Sequence, residues 1–332
     1  MAKLKNFLVL FLIMLMGCAK EPAQEKFVKT GTEGIVANFV AGQPPEKIYA
    51  EPNSPNFDVV LELRNKGGYP EPGKGSGVNG LGPRFGKIIL SGYDSRIINI
   101  EDNVRQDLST FALEGKSAIN PNGGQDIIAF TGNINYNQLN VNIYEPILQA
   151  TSCYYYETET GPSICIDPQP FSTDDKVCQV QDLSLSSQGA PIAITRIDQE
   201  TFATKTQFRI TIQNVGGGEV TDSLEQPDQN QANGQNQEIC SSQTLGRDQI
   251  DKVRMEFARV STVPLYCGPF VDTSAKGASG VVRLINDEGS IICEFPSDLY
   301  SNKLTAYTTP LSIKLSYTYR THTQRKLLIV KE

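Results

Sequence analysis

A chain of 332 residues with a formal net charge of −7, one histidine and no tryptophan sets several function classes aside. Nucleic acid is disfavoured as a partner, because phosphate binding needs a basic face. A length of this order suits two domains of ordinary size, each able to bury its own core.

The chain opens on an export signal. Lys3 and Lys5 form a positive n-region, Phe7 to Met16 an apolar h-region too short to span a bilayer, and Leu15-Met16-Gly17-Cys18 places a small residue before a cysteine. This stretch resembles a lipobox, which implies a signal peptide over 1–17, a diacylglycerol thioether on the Cys18 sulfur and an extracytoplasmic body held at the cell membrane. Residues 18–30 then read as a tether.

Beyond the tether, period-two alternation marks strands. Gly34–Val40 is the first candidate; Val59, Leu61 and Leu63 then alternate into Asn65-Lys66-Gly67-Gly68, where glycine suits the positive φ of a tight turn. A Gly/Pro-rich loop (69–84) follows, then Lys87–Leu90, Arg96–Ile100 and a long run over Asn140–Tyr156. Helical periodicity is nearly absent; Ile100–Phe111 has room for one short turn.

The second half repeats this order. Pro191–Ile197 precedes Phe208, Ile210 and Ile212, which alternate into Asn214-Val215-Gly216-Gly217; an Asn/Gln-rich loop (221–238) leads to Lys252–Met255, Val281–Ile285 and Leu311–Tyr319. Residues 125–168 lie over 289–332 without a gap, matching Ile127-Ile128 to Ile291-Ile292 and Tyr155 to Tyr319. The repeat places the domain boundaries at 31–168 and 169–332 and a closing hairpin at the end of each half. Many short strands with frequent turn signals argue for an all-β fold of two tandem antiparallel β-sandwiches.

The strand, the Asn-x-Gly-Gly turn and the late hairpin resemble immunoglobulin-like modules of prokaryotic surface proteins, the cell-adhesion-related (CARDB-like) type in particular. The whole chain is similar to archaeal surface lipoproteins with two such modules behind an anchor. The resemblance implies binding, adhesion or scaffolding and carries over no catalytic residue.

Cysteine use agrees with export. Setting Cys18 aside leaves Cys153, Cys165, Cys178, Cys240, Cys267 and Cys293, an even number in a chain bound for an oxidising compartment, so three disulfides are expected. If the first hairpin turns around Glu159, Cys153 and Cys165 face each other across the ladder and pair. Cys165–Cys178 across the domain junction competes, and the pairing of Cys240, Cys267 and Cys293 is left open.

Other motifs resolve to structure. Gly75-Ser76-Gly77-Val78-Asn79-Gly80 spells a dinucleotide fingerprint but leads to Pro83 and a strand instead of a helix. Gly115-Lys116-Ser117 lacks the upstream glycine of a phosphate loop, Thr110 standing there. His322 is placed at a hairpin tip, where no carboxylate orients it. Asp174-Asp175 and Asp287-Glu288 lie in loop-like sequence without calcium-loop spacing. Tyr154, Tyr155 and Tyr156 alternate faces on a strand and suit core and rim packing. The basic C-terminal residues Lys303, Lys314, Arg320, Arg325, Lys326 and Lys331 read as a solvated strand face.

The expectation is a non-enzymatic, lipid-anchored surface protein with no metal or cofactor, whose partners are the membrane and another surface protein or extracellular polymer. The alternative is a carbohydrate- or solute-binding lipoprotein serving a membrane partner, which the absence of tryptophan weakens in its sugar form.

Overall fold

Alternating residues such as Phe57, Val59, Leu61 and Leu63 bury one strand face, and Phe208, Ile210 and Ile212 do the same in the second half. The structure, a computed structural model, describes residues 29–53, 55–71, 73, 83, 85–100, 105–222, 240, 245–272, 276–302 and 305–332. The signal peptide, Cys18, most of the tether, most of the loops 69–84 and 221–238, Gly75–Gly80 and Lys303 lie outside the described residues.

Among the described residues the chain is all-β, built of several antiparallel sheets, none closed. Helix is confined there to single turns, one of them Leu108–Thr110 inside the stretch expected to hold one.

The first half contributes β1 (Ile35–Phe39), β2 (Lys47–Ala50), β3 (Phe57–Asn65), β4 (Gly86–Ser91), β5 (Ile98–Ile100), β6 (Arg105–Asp107), β7 (Gln125–Ile134), β8 (Ile143–Tyr144), β9 (Ile147–Thr160) and β10 (Ser163–Ile166). The second contributes β11 (Leu183–Ser184), β12 (Ile192–Thr201), β13 (Lys205–Asn214), β14 (Glu219–Asp222), β15 (Lys252–Val260), β16 (Val263–Pro264), β17 (Tyr266–Gly268), β18 (Gly280–Arg283), β19 (Glu288–Pro296), β20 (Tyr307–Lys326) and β21 (Leu328–Lys331). One sheet runs β1-β3-β7-β5; its counterpart runs β11-β12-β13-β19-β17.

The remaining long strands join in a single sheet that belongs to both halves, ordered β16-β15-β20-β9-β4-β6. Its centre is the antiparallel pair β9·β20. The register holds without a shift from Ile166↔Tyr307 through Thr160↔Ile313 and Ile147↔Lys326 to Ile143↔Val330. Leu311 N–H donates to Pro162 O (2.9 Å) and Leu327 N–H to Pro146 O (3.0 Å), so the ladder continues through both interruptions. At about 3.3 Å per residue the seam is roughly 75 Å long. Beyond it, β21 crosses into the first half, pairing parallel to β2 and antiparallel to β8.

This seam corrects the expected hairpin. No turn forms at Glu159: β9 and β10 both lie along β20. Cys153 and Cys165 therefore stand roughly 40 Å apart on one extended run, far beyond what a disulfide spans. The bridges are Cys153–Cys240, Cys165–Cys178 and Cys267–Cys293, with Cα separations of 5.5, 5.8 and 4.0 Å. His322 is likewise not at a tip; it lies within β20 opposite Thr151.

The repeat also shifts by one residue. Leu61 and Ile210 stand four places before Asn65 and Asn214; Leu61 pairs with Ile128, and Ile210 with Ile291. Ile128 and not Ile127 is thus the counterpart of Ile291, and Ile127 is 59% exposed where Ile291 is buried. A one-residue slip exchanges the two faces of a strand.

Candidate functional site

Tyr154 and Tyr156 of β9 share a face with Tyr317 and Tyr319 of β20, because Tyr154 lies opposite Tyr319 and Tyr156 opposite Tyr317. Neighbouring ring centroids around this square are 5.7 to 6.3 Å apart, within the range of favourable aromatic contact. All four rings are buried, and burial raises their hydroxyls above the ordinary tyrosine range, Tyr319 to about 12.

Each half ties one of these hydroxyls to its Asn-x-Gly-Gly turn. Tyr156 donates to Asn65 Oδ1 (3.1 Å) and accepts from Tyr69 N–H (3.2 Å), while Asn65 Nδ2 donates to Tyr69 O (2.6 Å) and Leu113 O (2.8 Å). Tyr319 donates to Asn214 Oδ1 (2.9 Å) and accepts from Gly218 N–H (2.7 Å), while Asn214 Nδ2 donates to Gly218 O (2.7 Å) and Asp287 Oδ1 (3.1 Å). The glycines are needed more for space than for φ. A Cβ on Gly67 would fall 2.0 Å from Tyr156 Oη, and one on Gly216 2.4 Å from Tyr319 Oη. Of the two turns' glycines only Gly217 has positive φ, at 71°.

The segments leading into β1 and β12 pass between the halves. Gly68 N–H donates to Gly189 O (2.6 Å), and Gly31 N–H to Ser187 Oγ (3.1 Å). Beside them a groove of about 540 Å3 runs between β1 and the last third of β20, lined by Glu33, Val36, Ala37, Lys66, Thr321 and His322 among others. A second groove, of about 610 Å3, flanks the other half and is lined by Lys29, Glu71, Glu159, Gln188 and Ser312.

The first groove borders two strand edges. Gly34 O accepts from Lys66 N–H and Val40 N–H donates to Val60 O, so the ladder turns the peptide groups of Ala37 and Phe39 away from β3. Past Arg320, β20 pairs on its β9 side only among the described residues. What this arrangement offers is backbone pairing, with polar and charged side chains such as Glu33, Lys66 and His322 at the rim.

The expected site residues are distributed as follows. Cys153 anchors Cys240 over the opposite face of the seam, where Tyr155 packs 5.4 Å from Phe85. Tyr154, Tyr155 and Tyr156 are all core residues, buried because both faces of β9 are covered there. Asp174 and Asp175 are exposed, whereas Asp287 belongs to the Asn214 network. The basic residues at the C-terminus are engaged: Lys314 with Glu157 (2.8 Å), Arg320 with Glu219 (3.5 Å), Lys326 with Glu145 (2.9 Å), Arg325 with Val40 O (3.4 Å) and Lys331 with Leu139 O (2.5 Å). Sequence reasoning missed Gln188 and the polar role of Asn65 and Asn214; the recurring Asn before each Gly-Gly was the available signal.

Compared with known proteins, the chain matches no family model and no curated protein.

Proposed function

We propose that the chain is an exported lipoprotein, anchored through Cys18, in which two immunoglobulin-like sandwiches share one sheet and act as a non-enzymatic binding, adhesion or scaffolding body. The observation that carries this reading is the closure of the six cysteines other than Cys18 on one another. Three bridges fit an oxidising compartment, and none of the six remains to pair with Cys18, which suits a thioether on that sulfur. The open edge of β1 supports a binding role, since an extended partner can add to such an edge through main-chain hydrogen bonds.

The solute-binding alternative has the groove volumes in its favour. The open peptide edge of β1 beside the first groove, with polar and charged side chains around it, suits a polypeptide better than a small apolar solute.

Replacing Cys18 with Ser and following membrane fractionation tests the anchor: the variant is expected in the soluble extracytoplasmic fraction, and unchanged membrane retention would overturn it. Cross-linking on intact cells tests the binding role, which predicts capture of a surface protein or polymer.

A further inference from the structure

The two halves treat the same edge differently. Ile35 lies opposite Asn65 as Ile192 lies opposite Asn214, so Ala37 is the counterpart of Ile194. In the second half that edge is covered. Gln188 Oε1 accepts from Ile194 N–H (2.9 Å), Gln188 Nε2 donates to Ile194 O (3.0 Å), and Leu185 N–H donates to Thr195 O (2.9 Å) next to the β11·β12 pair. Leu183 and Leu185 of this covering segment pack against the core. Asp182, just before it, accepts from Arg196 Nη2 (2.9 Å).

In the first half the counterpart of Gln188 is Gly31, which has no side-chain amide to offer. The chain there also runs the other way: Lys29 lines the opposite groove beside Gln188 and reaches Glu71 at 2.8 Å. Among the described residues nothing pairs with the outward peptide groups of Ala37 and Phe39, and Ala37 lines the groove between β1 and β20. At the Val40 end of β1 lies Arg325, whose Nε is buried without a partner among the described residues. A carboxylate there would answer it as Asp182 answers Arg196.

From this asymmetry we infer that the open edge of β1 at Ala37 and Phe39 docks an extended segment of a partner polypeptide. The partner adds as a strand, with an acidic residue ahead of two alternate apolar side chains, as Asp182–Gln188 covers β12. The inference rests on the binding-module reading above and specifies its site.

The probe is a labelled peptide of the chain's own sequence from Asp182 to Gln188, titrated into the full chain by fluorescence anisotropy. Saturable binding is expected, weakened at least about tenfold by Ala37→Pro, which removes only a groove-facing N–H. Phe39→Pro serves the same purpose if the first variant fails to fold. Hydrogen exchange reads the edge without a substitution: the amides of Ala37 and Phe39 exchange fast in the free chain and slow with peptide bound, whereas Val36 and Asn38 are slow in both. No peptide binding, or binding undiminished by either proline, would overturn the site. So would an Ala37 amide already protected in the free chain, since a segment of the chain itself would then be the occupant. Capture of a cell-surface partner undiminished by Ala37→Pro would keep the binding-module reading while removing this site.

Discussion

Tyr156 donates its hydroxyl hydrogen to Asn65 Oδ1 at 3.1 Å, and 163 positions further along Tyr319 makes the same bond to Asn214 at 2.9 Å. Asn65 is fully buried and also serves the carbonyls of Tyr69 and Leu113. Asn65→Ala strands those groups and is expected to cost about 3 kcal/mol in denaturant unfolding. Asn214→Ala, less buried, should cost about half as much.

The turn glycines separate space from backbone freedom. Gly67→Ala forces a Cβ to within 2.0 Å of Tyr156 Oη and 2.5 Å of Gly189 O, and a loss of more than about 3 kcal/mol is expected. Gly217 has φ of 71° but open space around it, so Gly217→Asn should stay within about 1 kcal/mol in the same assay.

Alkali should unfold the chain through the tyrosine square. Tyrosines ionise near pH 10 when unfolded, and burial holds those of the square higher, Tyr319 at about 12. The folded state therefore keeps protons that the unfolded state loses. The stability they confer is whole below about pH 10 and declines as pH rises towards 12 and beyond. Denaturant midpoints measured across that window, with tyrosinate absorbance as the second probe, should fall together.

The bridges should differ in weight. Cys153–Cys240 closes 87 positions and Cys165–Cys178 only 13. By chain entropy, replacing the first pair with serines should cost about 1.5–2 kcal/mol more than replacing the second. Thermal unfolding of the two double variants compares them.

Removing residues 327–332 takes away β21 together with buried Leu327 and Ile329. Although these residues end the second half, the loosened region should be β2 and β8 in the first, where β21 pairs. Faster hydrogen exchange over 46–50 in the truncated chain is the expected sign.

Much of the local structure was legible in the sequence. Alternation located β3 and β13 because one face of each is buried, and Tyr154–Tyr156 read as packing residues. Partner choice was not legible: Glu159-Thr160-Gly161-Pro162 has turn chemistry, and nothing local says that the strand runs on along β20. The repeat was visible but mis-registered, since doubled isoleucines at 127–128 and 291–292 fit either offset and only burial of Ile128 with Ile291 decides. Cys153 paired wrongly because of the expected turn at Glu159, as a hairpin would have brought Cys165 opposite it. The grooves escaped notice because they arise between strands distant in sequence.

Disulfide mapping of the unreduced chain by mass spectrometry tests the shared seam most directly. The continuous β9·β20 ladder requires peptides linking Cys153 to Cys240 and Cys165 to Cys178. A Cys153–Cys165 bridge would require β9 to fold back at Glu159 and would contradict it.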